Sequence, residues 1–431
     1  MRAVLQPGPR TRRSALRLVA GAFGASAWLA ACARTTGPVV LQLQAPADAA
    51  LIGQMLPQFQ RAEPGIRVNV SVSPAGGAAS LSPALLAGSG PDVFWDNDPS
   101  RYLGTPLLLD LAPLIAGSAY DLTDFGPSVL AAFRFGQGLY MLPRSVSPSA
   151  YAARSDLFAA AGVSLPAAPY TATDLAQAWQ RLSAGGRMIG GQLAWAPDAT
   201  YYLNGWGGHL VDPTSATRCA LQTPAALACG QWMWDRFWQD GAAQGLQGQY
   251  PGASFAAGTL AMQVVGCSQL PNFAGTNEGA PWRLVPFPTW PAGPSTGAQT
   301  DFYAISAATR APEAAWRLLM FLSSAAWQRA AIATLLVCPA RQSLWAEYPA
   351  AVGRRIPPLA HQPLDIYAAA VQGDWVRPSE QFRYQAQAAP LLQTYWQQMF
   401  GPGNVLTVKA GFDAAAAAVD AAEQAVASPP A

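Results

Sequence analysis

PDVFWDND, running from Pro91 to Asp98, reads in two parts. Asp92-Val93-Phe94-Trp95 fits a buried strand, and Asp96, Asn97 and Asp98 then close it with polar side chains. Upstream, Ile66, Val68, Val70 and Val72 alternate with Arg67, Asn69, Ser71 and Ser73, the period of a strand with one face covered. Before that, Ile52, Met55, Leu56 and Phe59 recur at helical spacing, and Glu63-Pro64-Gly65 stops the helix. Val39 to Leu43 is a further strand, and Ser82 to Ala87 a short helix. Strand, helix, strand, helix, strand in one short stretch predicts an α/β fold with a mostly parallel sheet covered by helices. In such sheets ligands sit beyond the carboxyl ends of the strands, where Trp95 to Asp98 fall.

The pattern continues less regularly. Helices are expected at Asp156–Ala161, Ala172–Leu182, Pro224–Trp238, Glu313–Leu322, Ala325–Ala333 and Phe412–Val426. Leu260–Val265 and Phe302–Ile305 read as strands, and Phe255 to Gly258 as the end of a helix. Prolines crowd into residues 281–299, which read as a loop. No internal repeat is visible.

With 431 residues the chain exceeds one ordinary core, so two or three lobes are expected. Arg2, Arg10, Arg12, Arg13 and Arg17 form a basic head, and the apolar run Leu18–Ala31 has the length of a signal core. Leu29-Ala30-Ala31-Cys32 resembles a bacterial lipobox, which makes Cys32 the expected lipid-bearing residue. Thr11 to Arg17 also fits a twin-arginine export signal, with a plain basic segment as the alternative. Removing residues 1–31 takes five of the 26 basic residues and none of the 24 acidic ones, so the remainder carries 21 − 24 = −3. That charge implies no basic surface for nucleic acid.

Apart from Cys32, the cysteines are Cys219, Cys229, Cys267 and Cys338. An exported chain permits disulfides. Proximity in sequence favours Cys219 with Cys229 and leaves Cys267 with Cys338, though other pairings stay open. The cysteines lack CxxC spacing and the chain has only His209 and His361 as histidines, so no metal is expected. No cofactor is expected either: there is no P-loop pattern and no HExxH. The one GxSxG match, Gly293 to Gly297, lies in the proline-rich stretch and lacks the strand–turn–helix setting of a nucleophile elbow.

Five stretches occur in order: LLAGSGPDVFWDND (85–98), GLYMLPRSVSPSAYAARSDLFAAAGV (138–163), SFAAGTLAMQVVG (254–266), FYAISAATRAPEAAWRLLMFLSS (302–324) and CPARQSLW (338–345). Together, and behind a lipobox, they resemble the extracellular solute-binding proteins of bacterial ABC importers. The likeness is to the large sugar-binding group that includes maltose-binding protein. It implies a two-lobed periplasmic-binding-protein fold with a hinge and an interlobe ligand cleft. Residues 1–31 would be a lipoprotein signal peptide and 32–38 a tether. The first lobe would take 39–146 and 303–336, and the second 147–302 and 337–431. The implied partners are a small solute, a membrane permease and the lipid anchor, with the protein acting as an extracytoplasmic monomer and not as an enzyme.

The resemblance also places a tryptophan and an aspartate on the sugar, matching Trp95 and Asp98. Asp96 is a second carboxylate candidate, and one of the two is expected to cap the following turn. Arg144 and Ser147 lie at the first expected crossing between lobes; the maltose binder carries a carboxylate where Ser147 aligns. Tyr201, Tyr202, Asn204 and Trp206 precede Gly207-Gly208 and fit a cleft wall. Ser268 and Gln269 stand where sugar binders often place an aromatic. Asp301 and Tyr303 flank the return crossing, and Trp375, Phe382 and Tyr384 are candidates for an aromatic platform. The rival reading is an exported carbohydrate-active enzyme that uses paired carboxylates, with Asp96 or Asp98 as one of them.

Overall fold

A computed structural model describes residues 37–73, 81–186, 188–193, 200–244 and 253–427. The signal segment and Cys32 lie outside the described residues. The first strands follow the sequence pattern: β1 is Val39–Ala45, α1 Ala49–Ala62, β2 Ile66–Val72, α2 Leu81–Leu86 and β3 Val93–Asp96. β1 pairs in parallel with β2 along its whole length, and with β3 at Leu43 and Gln44. Leu51, Ile52, Met55, Leu56 and Phe59 of α1 are buried against this sheet. Each large apolar side chain so covered contributes roughly 1.5–3 kcal/mol.

The strand that organises the molecule is β4, Met141–Arg154. From Met141 to Pro148 it runs antiparallel to a later strand, Thr296–Ile305. From Ser149 to Ala153 it pairs with β5, Met262–Gly266, and from Tyr151 to Arg154 with β6, Trp282–Val285. Thr296–Ile305 is β7; it also pairs with β3 and, through Thr296 and Gly297, with the short β8, Val376–Arg377. The strand order β5-β4-β7-β3-β1-β2 thus carries the chain from one half of the molecule to the other along β4 and β7.

Two hydrophobic cores result. The first gathers β1–β3, α1 and the helices Pro312–Leu322 and Ala325–Leu335, together with buried residues between Cys338 and Val376. The second gathers the helices Ala172–Ser183, Thr200–Gly205, Pro224–Trp234, Gln385–Phe400 and Val408–Ala427. The segment 337–431, expected to join one lobe, is shared between the two cores.

Three local expectations are corrected. Residues 281–299 are not a bare loop: β6, a two-residue ladder of Thr289–Trp290 with Gly293–Pro294, and the start of β7 occupy them. Most of these prolines fall between the short strands, where no ladder donor is needed. Phe255 to Gly258 forms hydrogen-bonded turns, not a helix, with Gly258 at φ +75°. The helix from Pro224 is α-helical only to Trp234 and then widens into a π-turn over Asp235–Gln239.

Candidate functional site

Between the two cores, over β4 and β7, lies a cavity of about 570 Å³. Its floor is Ser149 of β4 with Gly297 to Thr300 of β7. Asn97 to Ser100, just beyond β3, form one wall. Tyr201, Val264, Arg377 to Ser379, Gln381 and Gln385 form the other. Gly297 is required here: a Cβ at that position would come within 2.8 Å of the Tyr201 ring. Half of the lining residues carry a hydroxyl or carboxamide, groups that both donate and accept hydrogen bonds, and apolar surface lies between them. Gln381 lines the cavity, and its Oε1 is buried without a protein partner.

The two carboxylates after β3 take different roles. Asp96 is fully buried and does not line the cavity. Its Oδ1 accepts from the Asn97 amide at 2.7 Å and the Asp98 amide at 3.2 Å, and its Oδ2 accepts from the Tyr102 hydroxyl and from Arg101. Burial and the Asp96 contact push the Tyr102 phenol up, which keeps it a donor. Asp98 is the residue that faces the cavity. It caps the turn Pro99–Arg101 through the Ser100 amide at 3.1 Å and meets Arg101 Nε at 3.0 Å, yet its side chain stays 37% exposed. Trp95 packs its ring against the first core, and its Nε1 is buried without a partner.

Arg144 and Asp301 belong to a buried network at the crossing of β4 and β7. Arg144 pairs with Asp48 and, at 3.0 Å, with Asp301, whose Oδ2 also accepts from Ser145 Oγ at 2.8 Å. Burial works against the Arg144 charge, but Tyr303, Asp48 and Asp301 hold it in place and leave its pKa raised. Burial likewise lifts the Asp301 carboxyl above the usual range, against the pull of Arg144 and Ser145. Tyr303 is itself buried, its phenol pushed up to about 12 by desolvation. None of these groups lines the cavity.

Ser147 and Ser268 bind each other: Ser147 Oγ donates to Ser268 Oγ at 2.9 Å and accepts from the Ser268 amide at 2.8 Å. Tyr202 belongs to the second core, edge-on to Trp290 at 5.3 Å. Trp206 packs there too, near Trp232. Trp375 is exposed and Phe382 buried, and neither lines the cavity. Gln269 borders a second cavity of about 470 Å³ that shares Val264 with the first. That second cavity also presents Gln192, Gln244, Gln263 and Asn272, and Gln244 Oε1 is buried without a partner.

Of the residues proposed from sequence, Asp98 and Tyr201 line the first cavity. Sequence reasoning missed Asn97, Ser149, Gln299, Thr300, Arg377 and Gln381. Ser149, Gln299 and Thr300 fall on or beside the expected crossings, where a closer look at both strand faces was warranted. Arg377 and Gln381 carry no local signal. They reach the site because β8 pairs with β7, and because Glu380 ties their loop to the opposite segment. Glu380 Oε2 accepts from the Leu210 and Val211 amides, and Glu380 Oε1 meets Asn204 Nδ2 at 2.7 Å and His209 Nδ1 at 2.8 Å. The Gly293–Gly297 stretch is structural: Ser295 Oγ donates to the Tyr201 carbonyl at 2.6 Å, and β7 follows it where a nucleophile elbow needs a helix.

Four cysteines are buried and all are thiols in this structure. Neither Cys219 with Cys229 nor Cys267 with Cys338 is bonded. Among the described residues no cluster of His, Cys, Asp and Glu suits a metal ion.

Two halves joined by crossing strands, with a polar cleft between them, define a binding protein of the two-lobed periplasmic type. The chain belongs to the bacterial extracellular solute-binding protein family, whose sequence model matches residues 39–329. Solved structures of the same fold include an ABC substrate-binding protein of Listeria monocytogenes in complex with cycloalternan. It is 18% identical, with a TM-score of 0.69 over 90% of this chain and 99% of that one. A cyclic α-maltosyl-1,6-maltose binding protein of Arthrobacter globiformis is also 18% identical, with a TM-score of 0.72 over 90% of this chain and 100% of that one. The sugar-binding protein MalE of Xanthomonas citri gives 18% identity and a TM-score of 0.73, covering 90% and 98%. No curated protein sequence matches. These relatives are binding proteins, and the family places the chain outside the cytoplasm.

Proposed function

We propose that the protein captures a neutral sugar in the interlobe cleft and delivers it to an ABC permease, held at the membrane through a lipid on Cys32. The observation that carries the reading is the cleft lining. Asn97, Ser100, Ser149, Gln299, Thr300, Ser379, Gln381 and Gln385 offer neutral donors and acceptors, matched to hydroxyl groups. Asp98 adds a charge-assisted acceptor and Tyr201 an aromatic face for the sugar's C–H surface. The carboxamide-rich second cavity beyond Val264 supports an extended ligand, longer than one ring. Two of the similar structures are named for cycloalternan and for cyclic α-maltosyl-1,6-maltose, ligands of more than one sugar ring. Among the described residues lining the first cavity, Asp98 is the one carboxylate, whereas glycoside hydrolysis by paired carboxylates needs two.

The test is a thermal-shift series with mono-, di- and oligosaccharides, polyols and sugar phosphates. A ligand present at 100 times its Kd stabilises by about 2.7 kcal/mol, which reads as a shift of several degrees. Stabilisation by neutral oligosaccharides is expected. A flat response to every polar solute sinks the proposal. For the anchor, Cys32→Ser is expected to move the protein from the membrane fraction to the soluble one, and retention at the membrane excludes lipid on Cys32.

A further inference from the structure

Outside the cleft, one pair of side chains stands out. Cys267 Sγ and Cys338 Sγ are 2.8 Å apart, and the two residues are 0% and 1% exposed. Two unbonded sulfurs at that separation are already inside ordinary van der Waals contact. About 0.8 Å of further approach would reach a disulfide bond of ~2.05 Å. Each cysteine is also fixed by its own surroundings. Cys267 follows β5 and opens the turn Cys267–Gln269, whose Ser268 is held to Ser147 of β4. Cys338 follows the helix Ala325–Leu335. Its neighbour Pro339 bridges to Ser145, and the Ala340 and Arg341 amides donate to Gln328 Oε1.

We propose that Cys267 and Cys338 are joined as a disulfide in the exported protein. The bond is a covalent pin within the first core, between the end of β5 and the segment that follows the helix Ala325–Leu335. This is the pair that the sequence leaves once Cys219 is matched with Cys229, and it now rests on contact between the two sulfurs. The inference rests on the extracytoplasmic location of the family and not on the identity of the ligand.

The chemistry is thiol–disulfide exchange with a protein disulfide oxidant of the export compartment. One cysteine thiolate attacks the oxidant's disulfide, forming a mixed disulfide and releasing one oxidant thiol. The second cysteine thiolate then displaces the other oxidant thiol and closes the bond. Two electrons and two protons leave the cysteines, and the oxidant ends as a dithiol. Burial pushes the Cys267 thiol well above its usual range, so the folded pair supplies little thiolate. Oxidation therefore precedes closure of the core. The two residues are 71 apart in sequence, so the bond closes a long loop and removes many conformations from the unfolded chain.

The exported full chain should be unfolded in guanidinium with iodoacetamide, without reductant, and its peptides mapped by mass. The peptides of Cys267 and Cys338 are expected as one linked species that separates on reduction. Recovery of either residue mainly in alkylated form, or linked to Cys219 or Cys229, overturns the proposal. A second measurement needs no variant. Protein refolded with reductant is expected to melt lower, by about 5 °C or more, than protein unfolded and refolded without it. Equal melting points overturn the claim that the bond constrains the chain. The Cys219→Ala/Cys229→Ala variant is expected to show the same difference; losing it there assigns the effect to the wrong pair and overturns the assignment.

Discussion

Beneath the cleft Arg144 meets Asp48 and Asp301; on its walls Arg377 and Asp98 border open space. Both regions hold charged groups near the crossing strands, and Arg144, Asp301 and Asp98 all read as site candidates in the sequence. They differ in burial and in access to the cavity. The Arg144 network is buried: its carboxylates accept from the guanidinium and a serine, Arg144 Nε has no partner, and none of its groups lines the cavity. The cleft is open: Asp98 lines the cavity and is partly exposed. A charge on a crossing strand therefore need not face the cavity.

The sharpest way to break this contrast is Arg144→Met. Removing one member of a buried ionic cluster leaves the others uncompensated, so a loss of about 3–5 kcal/mol is expected in urea unfolding. Sugar affinity, measured well below the melting point, should stay within about twofold, since no hydrogen bond to ligand worth ~0.5–1.5 kcal/mol is lost. A large affinity loss with normal stability would move Arg144 into the site and dissolve the comparison.

The same division runs through Asp96 and Asp98, two residues apart. Asp96→Asn should cost about 1.5–3 kcal/mol of stability, because charge-assisted bonds from two amides, Tyr102 and Arg101 are weakened. Asp98→Asn should change stability by less than about 1 kcal/mol, as its partner Arg101 is exposed to a similar degree. It should instead weaken sugar binding by roughly tenfold, or about 1.4 kcal/mol. Urea unfolding and calorimetric titration on both variants decide the matter; exchanged phenotypes would show that Asp96 is the ligand group.

How far this was legible follows from which interactions are local. The strands β1 to β3 could be read because alternation and helical spacing are properties of short segments, and every one of those elements is present. Asp98 could be read because a strand end in an α/β sheet is a recurrent binding position. The other wall could not. Arg377 and Gln381 sit where they do because Val376 and Arg377 pair with Thr296 and Gly297, and nothing in the local sequence announces that contact. Aromatic residues misled for a related reason. Tyr201, Tyr202 and Trp206 share one short stretch and all pack into the second core, and of the three Tyr201 also borders the first cavity. The cysteines repeat the lesson: Cys219 and Cys229 are neighbours in sequence, while Cys267 and Cys338 are neighbours in space.

The smallest effect tests what holds that second wall. Glu380 ties the Arg377–Gln385 segment to residues 204–211, and its hydrogen bond raises the His209 pKa above 6.5, against partial burial. The protonated form of His209 is thus the one the folded state favours. Its contribution is fully present below the unfolded value of about 6.5 and fades as pH rises through the raised folded value. His209 is 44% exposed, so solvent screening keeps the effect small. His209→Gln should therefore be less stable than the parent at acid pH, below the unfolded value of about 6.5, with the gap closing as pH rises past the raised folded value. Because Glu380 also accepts from the Leu210 and Val211 amides, which do not titrate, the loop should stay in place and sugar affinity should remain unchanged across that range. A gap in stability that is the same at both ends of the pH scale would mean the imidazole carries no charge in the fold. A gap that opens with rising pH would reverse the sign of the coupling. In either case Glu380 would hold the wall through Asn204 and the Leu210 and Val211 amides.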